Sequence, residues 1–230
     1  MLRPLLATLL LLPLAAAAHE TATEAESGFV PLFDGESIDA WVQRGGTAEY
    51  RVEDGAIVGK AVPNTPNSFL CTPRDYSDYE MTLEFKVDPR LNSGLMIRGL
   101  SRDDYKDGRV YGYQAEIDPS PRAYTGGIYD EARRGWLQDL SDNEAARKAF
   151  RENEWNHYRV RLVGPHIRTW INDVPAAELL DSADPAGFIG LQVHSIKGDA
   201  PEEPMEVRWR NIQIKELSPA RPQPLDAAAN

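Results

Sequence analysis

Nine consecutive residues in the middle of the chain alternate without a break. Tyr79, Met81, Leu83, Phe85 and Val87 are apolar, and Glu80, Thr82, Glu84 and Lys86 between them are polar. A period of two puts one set on each face of an extended strand, and a helix has no use for such a pattern. The same period returns along the chain. Leu95 and Ile97 oppose Met96 and Arg98, after the turn Asn92-Ser93-Gly94. Tyr111, Tyr113, Ala115 and Ile117 oppose Gly112, Gln114, Glu116 and Asp118. Tyr158, Val160 and Leu162, then Ile167, Thr169 and Ile171, then Ile189, Leu191 and Val193 continue it. Asn172-Asp173 supplies a tight hairpin turn. The last strand, around residues 207–217, changes phase near Asn211, which predicts a bulge. One segment reads as a helix: residues 144–151 are good helix formers, and Ser141 and Glu144 have the spacing of a capping box. Many strands, one short helix and no alternation of strand with helix predict an all-β fold, two stacked antiparallel sheets in a jelly-roll β-sandwich.

The ends read differently. Arg3 precedes an apolar run at residues 5–14 and small residues at 15–18, the three parts of a signal peptide cleaved near Ala17 or Ala18. The run is far shorter than the roughly 20 residues of a membrane span. The predicted organisation is a signal peptide at 1–18, a flexible polar lead-in at 19–28, one sandwich domain at 29–217, and a disordered Pro- and Ala-rich tail at 218–230. The expected product is secreted or periplasmic, with no stable membrane anchor. Cys71, the only cysteine, has no partner for an intramolecular disulfide, so the core alone must hold the fold. A net charge of −11 argues against nucleic acid and against anionic membrane surfaces as partners.

Opposite the apolar sets, the strands carry Glu84, Arg98, Gln114, Glu116, Asp118, Gln192 and His194. Polar outer faces are normal in antiparallel sheets, and Glu84 with Arg98 also reads as a simple cross-strand ion pair. As a set, acids, amides, one Arg and one His with almost no Lys or Thr differ from an ordinary solvated face. The following segment adds Tyr129, Arg133 and Trp136. Aromatic rings stack on the C–H face of a sugar, while amides and carboxylates bond its hydroxyls, so the expected ligand is a saccharide. Tyr129 and Trp136 fit equally well as plugs of the sandwich edge. Of the four histidines, only His194 lies on this polar side, where it can serve as base or metal ligand near neutral pH. Neither a zinc-binding HExxH motif nor a serine nucleophile elbow is present.

Seven segments, in order, resemble the 3-keto-disaccharide hydrolase family. They are Phe33-Asp34-Gly35-Glu36-Ser37-Ile38-Asp39-Ala40-Trp41, Asn92-Ser93-Gly94-Leu95-Met96-Ile97-Arg98, Tyr113-Gln114-Ala115-Glu116-Ile117-Asp118, Thr125-Gly126-Gly127-Ile128-Tyr129, Glu154-Trp155-Asn156-His157-Tyr158, Trp170-Ile171-Asn172, and Gly187-Phe188-Ile189-Gly190-Leu191-Gln192-Val193-His194. The resemblance covers residues 29–217. It implies a lectin-like, concanavalin A-like jelly roll and cleavage of glycosides already oxidised to a ketone at C3. It also implies a divalent metal as a candidate cofactor and an oxidoreductase that supplies the ketone. Many members carry Glu-x-Gln where this chain has Gln114-x-Glu116.

A C3 ketone acidifies the C2 proton, so a base can form an enolate and the C1 substituent can leave by β-elimination. Addition of water to the enone then completes a net hydrolysis. Such a site needs a base, a partner for the enolate oxygen and an acid for the leaving group. Glu116 or His194 is the expected base. Arg98, or a metal held by His194 and carboxylates, is expected at the enolate, and Asp118 or Tyr129 at the leaving oxygen. Glu84, Arg98, Gln114, Tyr129, Arg133, Trp136 and Gln192 are the expected substrate contacts. Two competing readings stay open. A conventional glycoside hydrolase would use Glu116 and Asp118, about 6–7 Å apart on one strand face, but the third acid of that motif falls at Ser120 and Pro119 interrupts the strand. A non-catalytic carbohydrate-binding module would use the same fold and aromatics.

Overall fold

The computed structural model describes residues 28–217. The signal peptide, the lead-in up to residue 27 and the tail at 218–230 lie outside the described residues. The strands are β1 (Val30–Pro31), β2 (Val42–Gly45), β3 (Glu49–Glu53), β4 (Ala56–Lys60), β5 (Ser68–Cys71), β6 (Tyr79–Val87) and β7 (Ser93–Gly99). After them come β8 (Gly112–Ile117), β9 (Ile128–Glu131), β10 (Gly135–Gln138), β11 (Asn156–Val163), β12 (His166–Ile171), β13 (Val174–Leu180), β14 (Phe188–Val193) and β15 (Glu206–Glu216). They form two antiparallel sheets. The first runs β13-β12-β11-β6-β15-β4-β3, with β1 added on β15, and the second runs β10-β9-β8-β7-β14-β5-β2. The two stack as a jelly-roll sandwich, as the alternation predicts.

Strand β6 sits at the middle of the first sheet, paired with β11 and β15, and its burial alternates residue by residue. Its apolar side meets Tyr158, Val160 and the fully buried Trp209. Its polar side, Glu84 included, faces outward. The register of β15 against β6 slips between Arg210 and Gln213, with Asn211 at φ 51°, so the predicted bulge is present. Asn172 and Asp173 both take positive φ and close the β12–β13 hairpin.

The helix is shorter than its composition predicts. It spans Glu144–Arg147 (α1), and its cap is Asn143, whose Oδ1 accepts from the Ala146 amide at 3.1 Å, rather than Ser141. Tertiary contacts end it: Phe150 stacks on Phe85 with ring centroids 6.1 Å apart, and the Asn156 carboxamide holds the Arg151 amide at 2.8 Å.

In the second sheet, β7, β8 and β14 are buried on both faces. Leu95, Ile97, Tyr113, Ala115, Ile117, Ile189, Leu191 and Val193 point into the sandwich. The other face is covered by the β7–β8 connection, residues 100–111, whose Val110 packs with Phe69, Cys71, Met96 and Phe188. This connection also carries a single 3-10 turn at Lys106–Gly108. Tyr111 leaves the core pattern and packs against Tyr105 with ring centroids 4.1 Å apart and the planes tilted by 40°. The cover is partial, and beside it the sheet stays open to a cavity.

Candidate functional site

The cavity, of about 1130 Å³, lies on the outer face of the second sheet. Alternation along β8 aims Gln114, Glu116 and Asp118 into it, with Tyr113, Ala115 and Ile117 in the core behind. The registers set the floor: Gln192, Gly94 and Glu116 lie in one row across β14, β7 and β8, and Gly94 carries no side chain above it. A Cβ on Gly94 would come within 2.7 Å of Gln114 Cγ and Cδ, so the glycine is what lets Gln114 lie flat across β7.

Glu116 is 4% exposed. Its Oε1 accepts from Asn92 Nδ2 at 2.6 Å and its Oε2 from Gln114 Nε2 at 2.7 Å. Gln192 Nε2 donates in turn to Gln114 Oε1 at 2.7 Å, which extends the chain of amides across the floor. Burial pushes the Glu116 carboxyl up to about 7; the two amide hydrogen bonds oppose the rise, nearby Asp118 adds to it, and Arg122 opposes it. A carboxylate poised there exchanges a proton near neutral pH.

Asp118 is buried and accepts from Arg122 Nε at 2.7 Å. That ion pair holds the Arg122 guanidinium beside the rings of Trp136, 5.3 Å away, and Tyr124, 5.5 Å away. Trp136 also meets Tyr129 edge-on, with centroids 5.2 Å apart, so the aromatic residues form one wall. His194 lines the opposite side. Its Nδ1 lies 2.8 Å from the Ser195 carbonyl, which can only accept, so Nδ1 carries the proton and Nε2 is the basic nitrogen.

Of the residues expected from sequence, Gln114, Glu116, Asp118, Tyr129, Trp136 and His194 line this cavity, and Gln192 supports its floor. Three do not. Glu84 belongs to the other sheet and pairs with Arg210 at 2.7 Å, not with Arg98. Arg98 follows the face of Met96 in sequence but takes φ 57° at an irregularity between β7 and β14, which turns its side chain off the cavity face. It is buried, donating to the Ser77 and Gly164 carbonyls at 2.7 and 2.8 Å and to Asp78 at 2.9 Å. Arg133 forms a clamp between Asp130 and Asp184 that ties the β9–β10 turn to the segment before β14.

Sequence reasoning missed Asn92, Arg122 and Glu131. Asn92 was visible as a turn residue and as the head of a resembling segment, with no role attached, and the Arg122–Asp118 spacing of four, which signals an ion pair on a helix, here occurs in a loop. The residues do not fit the metal site considered from the resemblance. Among the described residues, no three His, Cys, Asp or Glu side chains converge as ligands. Both Glu116 oxygens are taken by amides, and Asp118 is taken by Arg122.

Residues 28–215 match the 3-keto-alpha-glucoside-1,2-lyase-like domain. The chain belongs to that family. No curated protein matches it. Among solved structures, this 3-keto-alpha-glucoside-1,2-lyase-like domain is similar to a candidate glycosyl hydrolase from Parabacteroides distasonis, with a TM-score of 0.60 and 18% identity over 85% of this chain and 96% of that one. It is also similar to a galectin-like protein from Bacillus subtilis, with a TM-score of 0.58 and 13% identity over 82% and 94% of the two chains. A carbohydrate-binding module from Bacillus subtilis gives a TM-score of 0.54 and 17% identity over 77% and 96%. At these identities the likenesses show the fold, a lectin-like jelly roll. With the family, they support a carbohydrate-related function. No helix among the described residues is long and apolar enough to cross a membrane.

Proposed function

We propose that this domain cleaves 3-keto-glycosides by elimination at C1 and C2 followed by hydration, after export through the signal peptide at 1–18. The observation that carries the reading is Glu116: a buried carboxyl on the cavity floor, poised near neutrality by burial and fixed by two amides. Glu116 takes the C2 proton, and the electron pair of the C–H bond passes to the C3 oxygen as an enolate. Arg122, oriented by Asp118, stabilises that oxyanion. The enolate re-forms the C3 carbonyl, C1–C2 becomes a double bond, and the C1–O bond breaks with a proton delivered by the Tyr129 hydroxyl. Water then adds at C1 and loses a proton to His194 Nε2, while Glu116 returns its proton to C2. Solvent carries the proton from His194 back to Tyr129. The sum is a 3-keto-glycoside and water giving a 3-keto sugar and an alcohol. An oxidoreductase must supply the ketone.

The test is release of alcohol by the purified mature protein from a 3-keto-glucoside and from the matching unoxidised glucoside, with and without chelator. Turnover of the keto form alone supports the elimination. Turnover of both favours a conventional glycoside hydrolase. Binding of plain oligosaccharide without turnover of either favours a carbohydrate-binding module, the role named for one of its structural likenesses.

A further inference from the structure

Among the described residues, five buried carboxylates lie in or beside the second sheet, and they are not equally satisfied. Asp118 has Arg122 at 2.7 Å, Asp184 has both terminal nitrogens of Arg133, and Asp130 has Arg133 and Arg134. Glu116 lacks a close cation and is assigned above as the base. Glu131 is the fifth. It is 6% exposed and lines the cavity, yet its contacts are long. Arg109 Nη2 lies 3.4 Å away and Asn67 Nδ2 3.3 Å away, both on Oε1. Among the described residues, none donates to Oε2. A carboxylate oxygen with spare acceptor capacity on a cavity wall takes a donor from whatever enters the cavity.

The position says what does. Tyr129 and Glu131 lie two apart on one face of β9, about 7 Å along the strand. Across the register, Tyr129 faces Gln114 and Glu131 faces Gly112, four residues before Glu116 on β8. Tyr129 therefore stands between the main-chain positions of Glu116 and Glu131, which are separated by about 13 Å of strand. Arg109 comes from the covering connection, and Asn67 also accepts from the Ser195 amide at 2.9 Å beside His194. An acceptor carboxylate, a guanidinium and a carboxamide next to an aromatic ring are the groups that bond vicinal hydroxyls of a pyranose.

We infer that Glu131, with Asn67 and Arg109, forms a second sugar-binding subsite that holds the leaving alcohol, and that it selects polyhydroxylated leaving groups over small or aromatic ones. This rests on the proposed cleavage for the identity of its occupant, but the donor and acceptor set is independent of the chemistry. The subsite lengthens residence of a glycosyl leaving group without touching C1 or C2.

The experiment compares kcat/KM for a 3-keto-disaccharide with that for methyl 3-keto-glucoside, in wild type, Glu131→Ala and the surface variant Arg109→Ala. The subsite predicts that the ratio of the two falls about tenfold or more in Glu131→Ala, and by a smaller factor in Arg109→Ala. An unchanged ratio in a folded Glu131→Ala protein overturns the inference, as does loss of the same factor on both substrates. If wild type turns over neither substrate, the cleavage reading fails, and calorimetric titration with the unoxidised disaccharide decides the subsite. Binding by wild type that is weakened tenfold in Glu131→Ala upholds it. Equal binding by both proteins, or none by wild type, overturns it.

Discussion

Gln114 Nε2 donates to Glu116 Oε2 at 2.7 Å, two residues away on the same face of β8. An amide and an acid at alternate positions of one strand reach the same cavity floor in either order. Carrying the acid at 116 rather than at 114 therefore keeps both groups in the site and moves the acid by one repeat of about 7 Å. Here it places the acid beside Asn92 and Asp118 rather than under Tyr129.

Glu116→Gln removes the proposed base without changing side-chain size. The expected loss in kcat is between about a hundredfold and ten-thousandfold, the range general bases contribute. With wild type, kcat/KM should rise with pH and level off above about 7, because the base acts deprotonated and its carboxyl titrates there. The check is a pH–rate profile of both proteins on a 3-keto-glucoside. A wild-type profile flat from pH 5 to 9 would remove Glu116 from that role.

The same group makes a stability prediction of opposite sense. Its folded pKa, about 7, lies above its ordinary value of 4.5. The unfolded chain therefore releases this proton first as pH rises, and stability falls between those two values. The penalty is absent near pH 4 and complete above pH 7, with an upper bound of about 3 kcal/mol. Glu116→Gln should raise Tm relative to wild type at pH 8 and lose that advantage toward pH 4.5, as read by thermal unfolding at both pH values. A gain confined to acid pH would contradict the assigned shift.

Much of the fold was legible because most apolar faces are paired with polar ones. Strands β6, β11 and β15 face solvent on one side, so their period of two and even the bulge at Asn211 stand in the sequence. The site was less legible for a physical reason: β7, β8 and β14 are buried on both faces. A residue such as Gln192, fully buried yet opposite the core, looks in sequence like any outward polar side chain. Glu84 and Gln114 carry the same local pattern, and only sheet order separates them. Arg98 was misplaced because a single left-handed residue, with Gly187 packed against its backbone, breaks the alternation that sequence reasoning extends. Arg122 enters through loop geometry, for which no local pattern exists, and Glu131 through its place two residues beyond Tyr129 on β9.

Arg98 and Glu84 give a paired test of that correction. Arg98→Met leaves Asp78 and three backbone carbonyls without their buried cation, which should cost about 3–5 kcal/mol. Glu84→Gln, on the other sheet, should change stability by less than about 1 kcal/mol. Urea unfolding reads both. The folded fraction of Arg98→Met should keep the wild-type KM for a 3-keto-glucoside, whereas a raised KM at equal folded fraction would return Arg98 to the site.

Gly94→Ala tests the floor itself. The added methyl would sit 2.7 Å from the Gln114 side chain, and Gln114 cannot move without giving up Gln192 or Glu116. The strain should cost about 1–3 kcal/mol. More informatively, loss of the Gln114 hydrogen bond takes away one of the interactions that hold the Glu116 carboxyl down, so its titration should move upward. The pH–rate profile of Gly94→Ala should then level off at higher pH than wild type, with kcat reduced at pH 7. Were Gln114 only a packing residue, the variant would lose stability while its profile stayed where the wild type's lies.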